Sequence, residues 1–136
     1  MNYNFNWNKT KKNVNKIIKE YTYYCLSVDN QYTTKVNDDF MLNELKTEEK
    51  NYLYVPISDD EKIKRINFVN YFRISFNKLT TDERKIIYWT YLDKEHNYDD
   101  RFIANNLGFS LGYYYIQKKE TIIRFACALG VEDMAN

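Results

Sequence analysis

Few side chains in this 136-residue sequence can do covalent or metal chemistry. The single histidine, His96, lies in the polar run DKEHNYDD with no serine or cysteine nucleophile beside it, the setting of a surface loop. Cys25 and Cys127 stand far apart, each among apolar neighbours, which reads as two buried thiols and not as a disulfide framework. One histidine and two scattered thiols cannot supply the four ligands of a zinc site. No metal, cofactor or catalytic residue is expected, and the chain does not read as an enzyme. What the sequence does offer is hydrogen bonding and charge, concentrated in IANNLGFSLGYYYIQKKETIIR, from Ile103 to Arg124.

A DNA-binding helix-turn-helix needs particular residues at fixed spacing. Ala104 is the small residue where two helices cross, and Ile103 and Leu107 are the buried aliphatics of the first helix. Gly108, four residues after Ala104, tolerates the positive φ of the turn. Ser110 is the N-cap of the second helix. An ordinary helical hairpin also turns on a glycine, but agreement at all these positions favours the unit that reads duplex DNA. The first two turns of its second helix face the major groove. Leu111, Gly112, Tyr113, Tyr115 and Ile116 are therefore the expected base-reading residues, with Gln117 able to pair bidentately with adenine. Arg84, Lys85, Arg101, Ser110, Lys118, Lys119 and Arg124 are the expected phosphate contacts, which position a protein without reading sequence. Ile122, Phe125, Ala126 and Leu129 recur at helical spacing as core, and Tyr114 is the ring expected to pack on the preceding helix.

The elements that hold this stretch are expected to be helices throughout, because three glycines and one proline leave few breaks. Val14, Ile17, Ile18, Tyr21 and Cys25 make one apolar stripe, predicting a helix from about Thr10 to Leu26. Lys11, Lys12, Lys16 and Lys19 lie mostly on its other side and read first as a solvated face, ahead of a DNA-binding arm. From Val28 to Ile57 the chain reads as a connector, with FMLNEL (Phe40 to Leu45) as a helical turn and NYLYVPI (Asn51 to Ile57) as a short edge strand. Ser58 and Glu61 have capping-box spacing and open a helix running to about Leu79. Its apolar residues, including Ile63, Phe68 and Ile74, cover more than one face, so it should be buried on two sides, inside the fold or against another subunit. Thr80 and Glu83 repeat the capping box before DERKIIYWTYL. DDRFIANNL follows, and a last helix runs from Ser110 to Leu129 with Gly130 as its C-cap. The expected fold is all-α: an N-terminal helical region, residues 1–79, for packing, dimerisation or partner binding, and a helix-turn-helix domain, residues 80–136. No apolar run is long enough to cross a bilayer, and MNYNFNWNKTKK lacks the apolar core of a signal peptide, so a cytoplasmic protein with no membrane partner is expected.

With these residues in place, the C-terminal third resembles region 4 of sigma factors, and more narrowly the ArpU/RinA/LtrC group of phage late-gene transcription regulators. The resemblance rests on Glu83-Arg84-Lys85-Ile86-Ile87, on Ile103 to Ser110, on Tyr113-Tyr114-Tyr115 with Lys118-Lys119, and on Phe125 to Gly130. It covers roughly Leu79 to Glu132, less than half the chain. It implies sequence-specific binding near a phage promoter and cooperation with host RNA polymerase. Gly112 departs from the pattern where a long polar side chain is usual, and Gln117 and Thr121 stand at positions that are aliphatic in that group. Charge is a cost to this reading. From Thr80 onward seven Lys and Arg face nine Asp and Glu, a net of −2, whereas residues 1–20 carry five lysines against one glutamate, a net of +4. Phosphate neutralisation supplies much of DNA affinity. Three readings stay open: the acids lie on the far face; the basic first helix or a homodimer adds contacts; or the unit binds a regulatory protein partner or polymerase and has little DNA affinity of its own.

Overall fold

The computed structural model describes residues 4–46 and 57–135, and these form an all-helical fold. Five helices follow in chain order: α1 Trp7–Val28, α2 Asp59–Asn77, α3 Thr81–Ile87, α4 Asp100–Leu107 and α5 Leu111–Leu129. The chain leaves α3 through one widened π turn, Tyr88–Leu92. Among the described residues the sole β pairing is an isolated antiparallel bridge, Phe5 with Met134, which ties the two ends of the described chain together. No described helix is long and apolar enough to cross a membrane.

The helices start where side-chain caps satisfy their free N–H groups. Ser58 accepts from the Glu61 amide and Asp99 from the Phe102 amide. Thr80 and Glu83 form the full reciprocal box. Helices α4 and α5 both end on a left-handed glycine, Gly108 at φ 73° and Gly130 at φ 77°.

One core joins α1, α2, α3, the π turn and α5. Val14, Ile18, Tyr21 and Cys25 of α1 meet Ile66, Val69, Phe72 and Phe76 of α2, Ile87 of α3 and Ile122, Phe125 and Leu129 of α5. Tyr21 stacks on Phe72 with centroids 3.8 Å apart. This core spans the expected boundary at residue 79, so the two regions share an interior. At its edge Arg73 is buried. Its guanidinium donates to Asp29 at 2.7 Å, to the Tyr21 hydroxyl at 3.0 Å and to the Asn43 carbonyl at 2.9 Å, tying α1 and α2 to the connector.

Two expectations need correction, the turn at Phe40 to Leu45 and the burial of Cys127. Phe40 to Leu45 is not a helical turn. Two asparagines on α2 hold it from the side: Asn77 pairs with both backbone groups of Leu42, and Asn70 with both of Leu45. Each side-chain amide stands in for a neighbouring strand, donating to the carbonyl and accepting from the N–H. Helix α2 is buried on two sides as expected, against α1 and α5, with Ile63 and Ile74 exposed on its remaining side. Cys127 is exposed, whereas Cys25 is buried as expected. The strand expected over Asn51 to Ile57 lies, apart from Ile57, outside the described residues.

Candidate nucleic-acid interface

The short helix α4 and the long helix α5 meet at a three-residue corner, Gly108-Phe109-Ser110. The Gly108 and Phe109 amides return to the carbonyls of Asn105 and Ala104, closing α4, while Ser110 Oγ accepts from the Tyr113 amide at 3.2 Å and opens α5. A small second core locks the corner: Ile103 and Ala104 of α4, Tyr114 of α5 and Ile86 of α3, with Leu107, Phe109 and Leu111 packed against them. Tyr114 is fully buried, and its hydroxyl donates to Asp100 Oδ1 at 3.0 Å. Burial is the main reason its phenol titrates far above the ordinary range, with the Asp100 charge adding to the effect.

With Tyr114 turned inward, its neighbours point out. Tyr113 is 49%, Tyr115 50% and Ile116 62% exposed, and Gly112 lies on the same open side. Four of the six expected base-reading residues are thus gathered on the first two turns of α5. Two are not. Leu111 packs into the small core, where its aliphatic chain closes the corner. Gln117 lines a groove of about 430 Å³ between α3 and α5, together with Glu83, Phe109, Tyr113, Thr121 and Arg124. Thr121, fully buried on that wall, leaves its hydroxyl without a hydrogen-bond partner among the described residues. These are the two positions where the sequence departs from the phage-regulator pattern by being polar, and both face α3.

The expected phosphate contacts divide more sharply. Arg84 is not available: it is buried, and its guanidinium donates to the carbonyls of Phe40, Leu79 and Asp39 and to the Thr81 hydroxyl. It holds the connector against α3. Lys118 is engaged by Asp100 at 2.9 Å, and Arg124 by Glu83 and, at 3.6 Å, Glu120. Lys85 sits over the Phe40 ring, with its ammonium 5.8 Å from the centroid. Lys119 is exposed and lies 5.2 Å over the Trp7 ring of α1. Arg101 on α4 is exposed with no ion-pair partner among the described residues, and Ser110 is exposed but uses its oxygen as the cap. No family model matches this chain, and neither does any curated protein or solved structure.

Sequence reasoning passed over two features beside the corner. Trp89, His96 and Tyr98 ahead of α4 and Phe102 on its first turn form an aromatic group, with Tyr98 and Phe102 stacked 4.1 Å apart and His96 stacked on Tyr98 at 5.1 Å. The alternation of rings across a nominal loop was the available signal. In the same loop Asp93, Glu95 and His96 bring three potential metal-ligand atoms within 4.8 Å of one another. The Asp93 carboxylate is already committed to the loop, accepting from the Glu95 and His96 amides and contacting His96 Nδ1 at 2.9 Å. Glu95 pairs with Lys35 at 2.7 Å.

Proposed function

We propose that this chain is a sequence-specific DNA-binding regulator of transcription, of the phage late-gene activator kind that its C-terminal third resembles, acting with RNA polymerase in the cytoplasm of a bacterial host. The observation that carries the reading is the corner between α4 and α5. It is rigid behind, where Tyr114, Ala104 and Ile86 interlock, and open in front, where the first two turns of α5 are exposed. A recognition helix needs this division, because its backbone must be fixed while its leading side chains enter the major groove. On this reading Ile116 meets thymine methyl groups, the Tyr113 and Tyr115 hydroxyls meet base edges, and Gly112 lets the backbone approach the groove. On the same reading Arg101, Lys119 and Ser110 contact phosphates.

A second reading is favoured by the same surface. Its outward side chains are two tyrosines and an isoleucine, and Lys118 and Arg124 are already held by the protein's own carboxylates. An exposed apolar set with internally satisfied cations also suits a protein partner, an anti-activator or a polymerase-binding modulator.

Binding to labelled promoter duplexes at two salt concentrations, with random duplex as competitor, separates the two. Binding to a preferred sequence that weakens with salt supports the DNA reading. Arg101→Ala with Lys119→Ala should then weaken all duplexes alike, and Tyr113→Ala with Ile116→Ala should chiefly erase sequence preference. Absence of duplex binding at low salt, together with retention of RNA polymerase in a pull-down, supports the protein-partner reading.

A further inference from the structure

Helix α1 carries five lysines and one acid, and its side facing away from the core is Asn8, Lys12, Asn15, Lys16, Lys19 and Tyr23, all exposed. Among the described residues none of Lys12, Lys16 and Lys19 has an ion-pair partner, and Glu20 pairs with none of them, whereas Lys9 pairs with Asp133. Like charges at i,i+3 and i,i+4 on a helix repel one another and cost stability. Among the described residues no ion pair within the chain offsets that repulsion. The lysines also do not stand alone. Lys11 and Lys119 both lie over the Trp7 ring, at 5.8 and 5.2 Å, which joins the basic start of α1 to the exposed side of α5. Farther along, Lys19 and Lys94 share a groove of about 220 Å³ whose walls include Asn15, Tyr23, Tyr32 and Tyr91.

We infer that this lysine face is a second DNA contact, which tracks the phosphate backbone beside the site met by α5. The inference rests on the DNA-binding reading above and adds to it the surface that supplies the missing charge. At 1.5 Å per residue, Lys12 to Lys19 spans about 10 Å, which along the duplex axis is the rise of about three phosphates of one strand at roughly 3.4 Å each. Asn8, Asn15 and Tyr23 on the same face add hydrogen bonds to phosphate and sugar oxygens without selecting a base. The corner's net acidity then ceases to be an obstacle, because α1 adds counterion release to the little that Arg101 and Lys119 supply.

The test uses the full chain with Lys12, Lys16 and Lys19 all replaced by Gln, and a matched set replaced by Arg. Duplex affinity is measured from low to moderate salt for both and for the parent. The Gln set should flatten the slope of log affinity against log salt by roughly 2 to 3, about 0.9 for each phosphate that is no longer neutralised. The ratio of preferred to random duplex should stay unchanged, and the Arg set should keep the parent slope. A parent that binds with salt dependence while the Gln set keeps its slope overturns this inference and leaves the α5 reading intact. An Arg set as flat as the Gln set also overturns it, because the effect then follows the altered side chain and not its charge. Polyglutamate binding the parent as well as duplex overturns it in favour of an acidic protein partner, and a parent that binds no duplex at low salt overturns both readings.

Discussion

Truncating Arg84 to alanine removes a buried guanidinium and leaves the carbonyls of Phe40, Leu79 and Asp39 without their donors. Only the bond to Leu79 is fully buried, and water can replace the donors to Phe40 and Asp39. With about 1–3 kcal/mol for the buried acceptor and less for the others, Arg84→Ala should lower stability by about 2–4 kcal/mol. Chemical denaturation will show it, while duplex affinity per folded molecule stays at the parent value; an unchanged denaturation midpoint would refute the structural role. Sequence could not separate this arginine from Arg101, since both are basic residues near a helix start and only burial distinguishes them. Gly112 makes the opposite case. It is helical, and a β-carbon built on it meets nothing within 4 Å, so the fold itself does not require glycine there. Gly112→Ala should raise stability by about 0.5–1 kcal/mol. If a partner approaches the α5 backbone at this point, the same variant loses affinity for its preferred duplex. Higher stability with unchanged affinity would show that no partner comes so close.

Besides the small core they share, helix α4 restrains α5 through one carboxylate oxygen, Asp100 Oδ1, which receives both the Tyr114 hydroxyl and the Lys118 ammonium. Asp100→Asn keeps the size of the side chain and removes the charge that holds Lys118. A freed Lys118 should then reach a phosphate, raising duplex affinity and steepening the salt slope by about 0.9. An unchanged slope would place Lys118 off the DNA path whatever its pairing. The helix starts after α1 were legible because their signals are local, whereas α1 begins at Trp7, capped by Asn6, ahead of the expected Thr10. Ser58, Thr80, Asp99 and Ser110 each cap the helix that follows, and the left-handed glycines end α4 and α5 as their spacing implied. The connector from Phe40 to Leu45 was not legible, because its conformation is dictated by Asn70 and Asn77, some 25 to 35 residues away in sequence. The exposed side of α2 was hidden for a related reason. Ile63 and Ile74 are as apolar as the core residues between them, and composition alone does not say which apolar residue meets a neighbour.

For the molecule as a whole, the tyrosines set the alkaline limit. Burial, ahead of any charge, raises the phenols of Tyr21, Tyr88 and Tyr114, with Tyr88 pushed up to about 12 and the other two higher still. In the unfolded chain these groups ionise near about pH 10. Above that point the unfolded state releases protons that the folded state retains, so stability falls as pH rises. The contribution is complete below about pH 10 and is lost as pH climbs through the folded values. Urea midpoints should therefore be insensitive to these groups through neutrality and drop steadily from about pH 10 upward; a midpoint that holds level to about pH 11 would contradict the burial of these rings. The helical class of the fold was legible from the scarcity of glycine and proline. The unity of its interior was not, because the contact of Phe72 and Phe76 with Phe125 joins halves that differ in charge and in pattern.

The placement of Trp7 gives the protein an optical readout of its own. The chain has two tryptophans, Trp7 and Trp89. Trp89 sits in the aromatic group ahead of α4, while Trp7 lies beneath the ammonium groups of Lys11 and Lys119. A cation close above an indole lowers the energy of its electrons, so the colour and yield of its emission report whether that cation is present. Any polyanion that draws Lys119 or Lys11 off the ring must change that emission, whereas a ligand seated elsewhere leaves it alone. With Trp89→Phe removing the other fluorophore, an unlabelled titration would report occupancy at the seam between α1 and α5 in real time.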